Sequence, residues 1–175
     1  MNINANNDLA NILGADSGKP APDYYWRKYE GGVSVDAVPA GHTPSGEITY
    51  IGQVLAIGLG LDALLPGTLY PSRKEVVSAY KSAYASNKYA AVLCTSTPNK
   101  LKWYRTNNDE IHLIHDHLVV GGYEINQNAY IGRVSYDNYL IVGKVLTDTY
   151  KGLRIGLLDG REKLFTSFEV LVYDL

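Results

Sequence analysis

The sequence predicts an all-β protein made of two small antiparallel units packed together, and three observations lead there. A set of landmarks occurs twice in the same order. The segments between them are short, rich in Tyr and Val, and bounded by turn dipeptides. The aromatic content is also skewed, with 15 Tyr against 2 Phe in 175 residues. Tyrosine offers a flat apolar face and a polar tip, which suits half-buried strands and surfaces that touch polar ligands.

The repeat decides the organisation. Trp26 in YYWRKYEGG and Trp103 in KWYRTNND lie 77 residues apart. Tyr50 (TYIGQV) and Tyr130 (AYIGRV) are 80 apart, Gly67 (LPGTL) and Gly143 (IVGKV) 76, and Tyr89 (KYAAVL) and Phe168 (SFEVL) 79. Such regular spacing implies two copies of a unit of roughly 75 residues, here 24–102 and 103–175. Tyr50 to Gly67 spans 17 residues but Tyr130 to Gly143 only 13, so copy one carries about four extra residues within LAIGLGLDALL.

Taken in order, residues 1–23 are Asn-rich and end in SGKPAPD, a flexible leader with one short helical turn expected at Asp8–Leu13. In copy one, KEVVSAYKSAYAS (Lys74–Ser86) has apolar residues at helical spacing, yet it occupies the place of a hairpin in copy two, so the repeat argues for strands. In copy two, YIGRVSY and YLIVGKVL flank Asp137-Asn138, a tight antiparallel turn. LRIGLL and FTSFEVLVY are expected to pair across Asp159-Gly160. Gly121–Val145 thus places an acid, Glu124, and a lysine, Lys144, at the two ends of a strand pair.

Composition narrows the function classes. A net charge of −2 and pI near 6.1 give no broad attraction to nucleic acid or anionic lipid. The single Cys94 excludes an intrachain disulfide framework, and it reads as a small buried hydrophobe. MNINANNDLANILGAD lacks the basic and apolar regions of a signal peptide, and no apolar run reaches the length of a membrane span. The expected location is cytosolic, with release by a non-classical route left open. No nucleophile elbow, phosphate loop or zinc-protease motif occurs, and Gly58-Leu59-Gly60 lacks the third glycine of a dinucleotide fingerprint, so binding stands ahead of catalysis and no cofactor is expected.

The order Trp, Gly-Gly-Tyr-acid, Y-I-G-R-V, P-G-K or its variant, and Y/F-E-V-L resembles the DM-nine repeat family, which includes the natterin-like lectins. The resemblance covers Trp26 to Leu175 as two tandem repeats. It implies compact β-sandwich-like repeats and, in lectin members, mannose recognition by the acid after Gly-Tyr together with the lysine of P-G-K. Those positions are Glu124 and Lys144 here. Glu124 replaces the usual Asp and Val142 the usual Pro, while copy one has His42-Thr43 at the acid position and Thr68 at the lysine position. The resemblance therefore implies a sugar site in the second repeat and a degenerate one in the first.

The chemistry is compatible with that role. A carboxylate accepts two sugar hydroxyls, and an ammonium donates three hydrogen bonds to their lone pairs. Tyr123, Tyr130 and Tyr136 are candidate aromatic walls, and Asp137 is a nearby acceptor. One such site is weak, so useful avidity calls for a homo-oligomer. In an arbitrary β-protein the same two charges form an exposed cross-strand pair worth a few tenths of a kcal/mol.

His115 and His117 project from one face if IHLIHDHLV is a strand, leaving at most a partial metal site; no metal is expected. Val54–Gly67 reads either as core filling or as an exposed loop that meets another subunit.

Two hypotheses follow. A mannose-type glycan-binding module predicts that Glu124→Ala and Lys144→Ala each abolish retention on mannose resin with the fold intact. An interaction or self-assembly module predicts a stable oligomer, a silent glycan array and sensitivity to polar substitutions in Val54–Leu65.

Overall fold

The structure is a computed structural model that describes residues 20–58, 60 and 62–175. The leader over 1–19, with its expected turn at Asp8–Leu13, lies outside the described residues.

The fold is all-β. The first repeat contributes β1 (Tyr25–Lys28), β2 (Pro39–His42), β3 (Ile48–Ala56), β4 (Ala63–Tyr70), β5 (Glu75–Ala79), β6 (Ala83–Ser86) and β7 (Ala90–Cys94). The second contributes β8 (Leu101–Asn107), β9 (His117–Leu118), β10 (Val120–Glu124), β11 (Gln127–Tyr136), β12 (Tyr139–Leu146), β13 (Gly152–Gly156), β14 (Glu162–Phe165) and β15 (Ser167–Tyr173). Two single-turn 3₁₀ helices, Pro98–Lys100 and Ile111–Leu113, complete the elements of the described residues.

The repeat in the sequence is a repeat in the pairing. Within copy one, antiparallel pairs join β1 to β7, β2 to β3, β3 to β4 and β7, β4 to β5, and β5 to β6. Copy two reproduces every one: β8 with β15, β10 with β11, β11 with β12 and β15, β12 with β13, and β13 with β14. The copies are then joined reciprocally, β2 to β12 at His42↔Leu140 and β10 to β4 at Tyr123↔Leu64, which relates them by a pseudo-twofold.

Glycine makes the joints possible. A Cβ on Gly41 would stand 2.3 Å from the Leu140 carbonyl oxygen, and one on Gly122 only 1.9 Å from that of Leu64. Side chains reinforce the crossing on both sides: Gln53 Nε2 donates to Gly121 O (2.6 Å), and Arg133 Nη1, one repeat later, donates to Ala40 O (3.2 Å). Three apolar clusters fill the interior. One belongs to copy one (Val54, Leu65, Leu69, Val76, Val92) and one to copy two (Val145, Leu153, Ile155, Phe168, Val170). The third lies between them and draws on both (Ile51, Leu93, Ile131, Val142, Leu171).

Local readings fare differently. Asp137 (φ 50°) and Asn138 (φ 61°) both take left-handed backbone, as the two-residue β11–β12 turn requires. The β3–β4 connection is six residues, 57–62, against these two, which is the predicted four-residue insertion. Lys74–Ser86 is the β5–β6 hairpin: Val76 and Val77 are both buried because β5 is covered on both faces, and two-faced burial imitates helical spacing. The Val54–Gly67 stretch divides its roles, with Val54, Ala56, Ala63 and Leu65 in the core and Ile57 exposed at the tip.

One pairing is corrected. LRIGLL does turn back beyond Asp159-Gly160, but its partner is Glu162–Phe165. The register breaks at Thr166, and Ser167–Tyr173 runs between β8 and β11 instead. The apolar Phe168–Val172 stretch belongs in the core, whereas β14 is an edge strand with no buried residue.

Gly122→Ala is expected to lower stability by about 1–3 kcal/mol through forced displacement of the Leu64 backbone. Gly32→Ala, whose new methyl meets nothing within 4 Å, should change it little; urea unfolding of both variants checks this.

Candidate functional site

Glu124 ends β10 and Lys144 lies in β12, on either side of β11. On the intervening β11, Glu124 pairs with Gln127 and Lys144 with Ile131, and the two charged side chains meet across that strand. The Lys144 ammonium and the Glu124 carboxylate form an ion pair in which each side chain is only 4% exposed. The exposed cross-strand pair of an arbitrary β-protein is thus not what forms here. Burial pushes the Lys144 ammonium below the ordinary lysine range, and the neighbouring Glu124 and Glu162 carboxylates act against that shift.

The pair lines a cavity of about 440 Å³, within the roughly 300–1,000 Å³ of small-molecule sites. Its walls come from both repeats. Tyr80 and Lys81, from the β5–β6 turn, and Gly60, from the inserted loop, face Ile125, Leu146 and Tyr150 of copy two. Lys144 Nζ sits 5.5 Å from the Tyr80 ring centroid. A second ion pair, Arg154 Nη1 to Glu162 Oε1 (3.3 Å), borders the same space; Arg154 is the cross-strand partner of Lys144. Among the described residues Glu162 Oε2 is buried without a hydrogen-bond partner, an acceptor turned away from water and still open. The site therefore combines donors and acceptors of fixed charge with aromatic and aliphatic surface.

The remaining predicted residues lie elsewhere. Alternation along β10 turns Tyr123 away from Glu124; it is 49% exposed, with its hydroxyl toward Asn126 (3.5 Å). Tyr130 packs against the copy-two core. Tyr136 and Asp137 line a different cavity, with Tyr70 and Tyr139. The aromatic walls of the acid–lysine site are instead Tyr80 and Tyr150, which sequence reasoning missed: Tyr80 belongs to the other repeat, and Tyr150 lies beyond the end of β12, outside the strand pair that carries the two charges. In copy one, Thr43 accepts from Glu47 N (3.2 Å), and Thr68 Oγ1 both accepts from Val142 N (2.8 Å) and donates to Val142 O (2.9 Å), so both positions serve internal bonding.

The histidines do not share a strand. His115 precedes β9 in irregular chain, while His117 Nε2 is bonded to Tyr24 Oη (2.7 Å) and its imidazolium is disfavoured by burial. Among the described residues no three His, Cys, Asp or Glu side chains gather at metal-binding distance, and no helix is long and apolar enough to cross a membrane.

A family model, the DM9 repeat, matches residues 59–156, more than half of the chain. The chain belongs to the DM9 repeat family. The matched DM9 span runs from the inserted loop to the end of β13 and so contains Glu124, Lys144 and most of their cavity. Among solved structures the DM9 chain is similar in fold to the nematode sperm cell motility protein MFP2B, with TM-score 0.53 at 13% identity. The match covers 93% of this chain and 51% of that one, so the DM9 chain spans about half the length of MFP2B. No curated protein matches it.

Burial revises the outcome expected from single alanine substitutions. Glu124→Ala or Lys144→Ala each leaves one buried charge unpaired and should cost about 3–5 kcal/mol, seen as a lowered thermal midpoint. The double substitution Glu124→Gln/Lys144→Met keeps volume and removes both charges, and its midpoint should stay near that of the parent.

Proposed function

We propose that the protein is a non-catalytic carbohydrate-binding module that recognises mannose-type glycans in the Glu124–Lys144 cavity. The observation that carries this reading is a buried, oppositely charged pair at the wall of an open, aromatic-lined space of monosaccharide scale. Membership of the DM9 repeat family supports a lectin-like module in general terms.

A buried ion pair is a poor way to add stability, because well-packed apolar residues of the same volume do as well or better. A ligand with adjacent hydroxyls gives the pair a use. The second carboxylate oxygen of Glu124 accepts one hydroxyl, and the remaining Lys144 protons reach the next. Tyr80 and Tyr150 cover the apolar face of the ring. Charge-assisted hydrogen bonds of about 1.5–3 kcal/mol each, offset by the cost of association, place one site at roughly millimolar to sub-millimolar affinity. A homo-oligomer supplies the avidity that agglutination or pattern recognition needs. In this reading the protein rests in the cytosol and meets microbial or vesicular glycans there or after release.

A glycan array with the parent and with Glu124→Gln/Lys144→Met tests the proposal. The parent should respond to mannose-type glycans and the double variant should not, while Tyr80→Ala weakens binding about tenfold, in line with an aromatic contact of roughly 1 kcal/mol or slightly more. A silent array with a stable oligomer in sedimentation would favour the self-assembly module instead.

A further inference from the structure

We propose that the cavity between Tyr70 and the β11–β12 turn is a second ligand site, suited to a small organic ammonium ion. It measures about 220 Å³ and is lined by Tyr70, Tyr136, Asp137, Tyr139 and Leu157, with the Asp159–Arg161 pair at its rim.

Its position follows from the pseudo-twofold. Tyr70 ends β4 as Leu146 ends β12, the Asp137-Asn138 turn matches the 57–62 loop, and Leu157-Leu158 match Tyr80-Lys81. Each repeat thus offers a cavity against the hairpin tip of the other, but the lining has changed. Where copy two has Lys144, copy one has Thr68, fully occupied by the Val142 backbone. Where copy two has Leu146, copy one has a tyrosine.

The chemistry selects a cation. Asp159 and Arg161 neutralise each other at 2.6 Å. Among the described residues Asp137 has no ion pair or hydrogen bond, so the side chains that line the cavity carry one net negative charge, with the Lys163 ammonium nearby over the Tyr136 ring. Three phenol rings, those of Tyr70, Tyr136 and Tyr139, line the same cavity. Tyr70 is 2% exposed, and burial, with Tyr139 beside it, holds its hydroxyl neutral up to about 12, so the ring adds no charge of its own at ordinary pH. Electron-rich ring faces attract ammonium groups, and the protein already does this once here: Lys163 Nζ lies 4.5 Å from the centroid of Tyr136. An anion would meet the Asp137 carboxylate. An alkylammonium group satisfies the rings with its apolar substituents and the carboxylate with its charge.

Calorimetric titration of the full chain with choline and with its neutral isostere 3,3-dimethylbutan-1-ol tests this. Choline should bind, and the isostere should bind at least about tenfold more weakly. Asp137→Asn, which keeps a residue at ease in left-handed backbone, and Tyr139→Leu should each weaken choline about tenfold, while Tyr139→Phe retains it. Glu124→Gln/Lys144→Met should leave choline binding unchanged, which separates this site from the sugar site. The proposal is overturned by absence of choline binding at millimolar concentration, by equal binding of the isostere, or by Tyr139→Phe losing as much as Tyr139→Leu.

Discussion

The close crossing of the two repeats is the constraint on which the rest depends. At Gly41 and Gly122 the backbone of one repeat comes so near a carbonyl of the other that a methyl group has no room. The crossing allows β2 to pair with β12 and β10 with β4, seals the central apolar cluster, and sets the hairpin tips of each repeat over the flank of its partner. Both cavities lie at those tips. Neither wall set is complete within one repeat: Tyr80, Lys81 and Gly60 close the acid–lysine cavity from copy one, and Tyr70 enters the other cavity from copy one against copy-two rings.

Burial governs what the acid–lysine pair can do. At 4% exposure neither charge is well solvated, so each depends on the other and on whatever enters the cavity. Desolvation works against the Lys144 charge while Glu124 and Glu162 work for it. The duplicated position shows the other solution. Thr68 spends its hydroxyl on the Val142 backbone in both directions, a neutral clamp that strengthens the joint between repeats and leaves no donor for a ligand.

Much of this was legible from local chemistry. Asp137-Asn138 specifies a tight turn because both residues tolerate left-handed backbone, and the landmark spacing located a four-residue insertion that is the longer β3–β4 loop. Comparing copies also resolved Lys74–Ser86, where periodicity alone pointed to a helix. Local chemistry was a poorer guide where partners are distant. Asp159-Gly160 marked a reversal but not its partner, since FTSFEVLVY is divided at Thr166 between an edge strand and a core strand. Nearness in sequence to Glu124 suggested Tyr123 and Tyr136 as walls, yet strand alternation turns the first outward and the second belongs to the other cavity.

The sequence by itself determined the β class, the duplication, the turn chemistry and the asymmetry between an acid–lysine repeat and a threonine repeat, because each is written in residue type and spacing along one chain. Only the tertiary structure decided that the Glu124–Lys144 pair is buried, that Tyr80 and Tyr150 flank it, and that Tyr70, Tyr136 and Tyr139 share a second cavity. Those outcomes depend on how the repeats cross. Burial and convergence are properties of two surfaces brought together, and no spacing within either one records them.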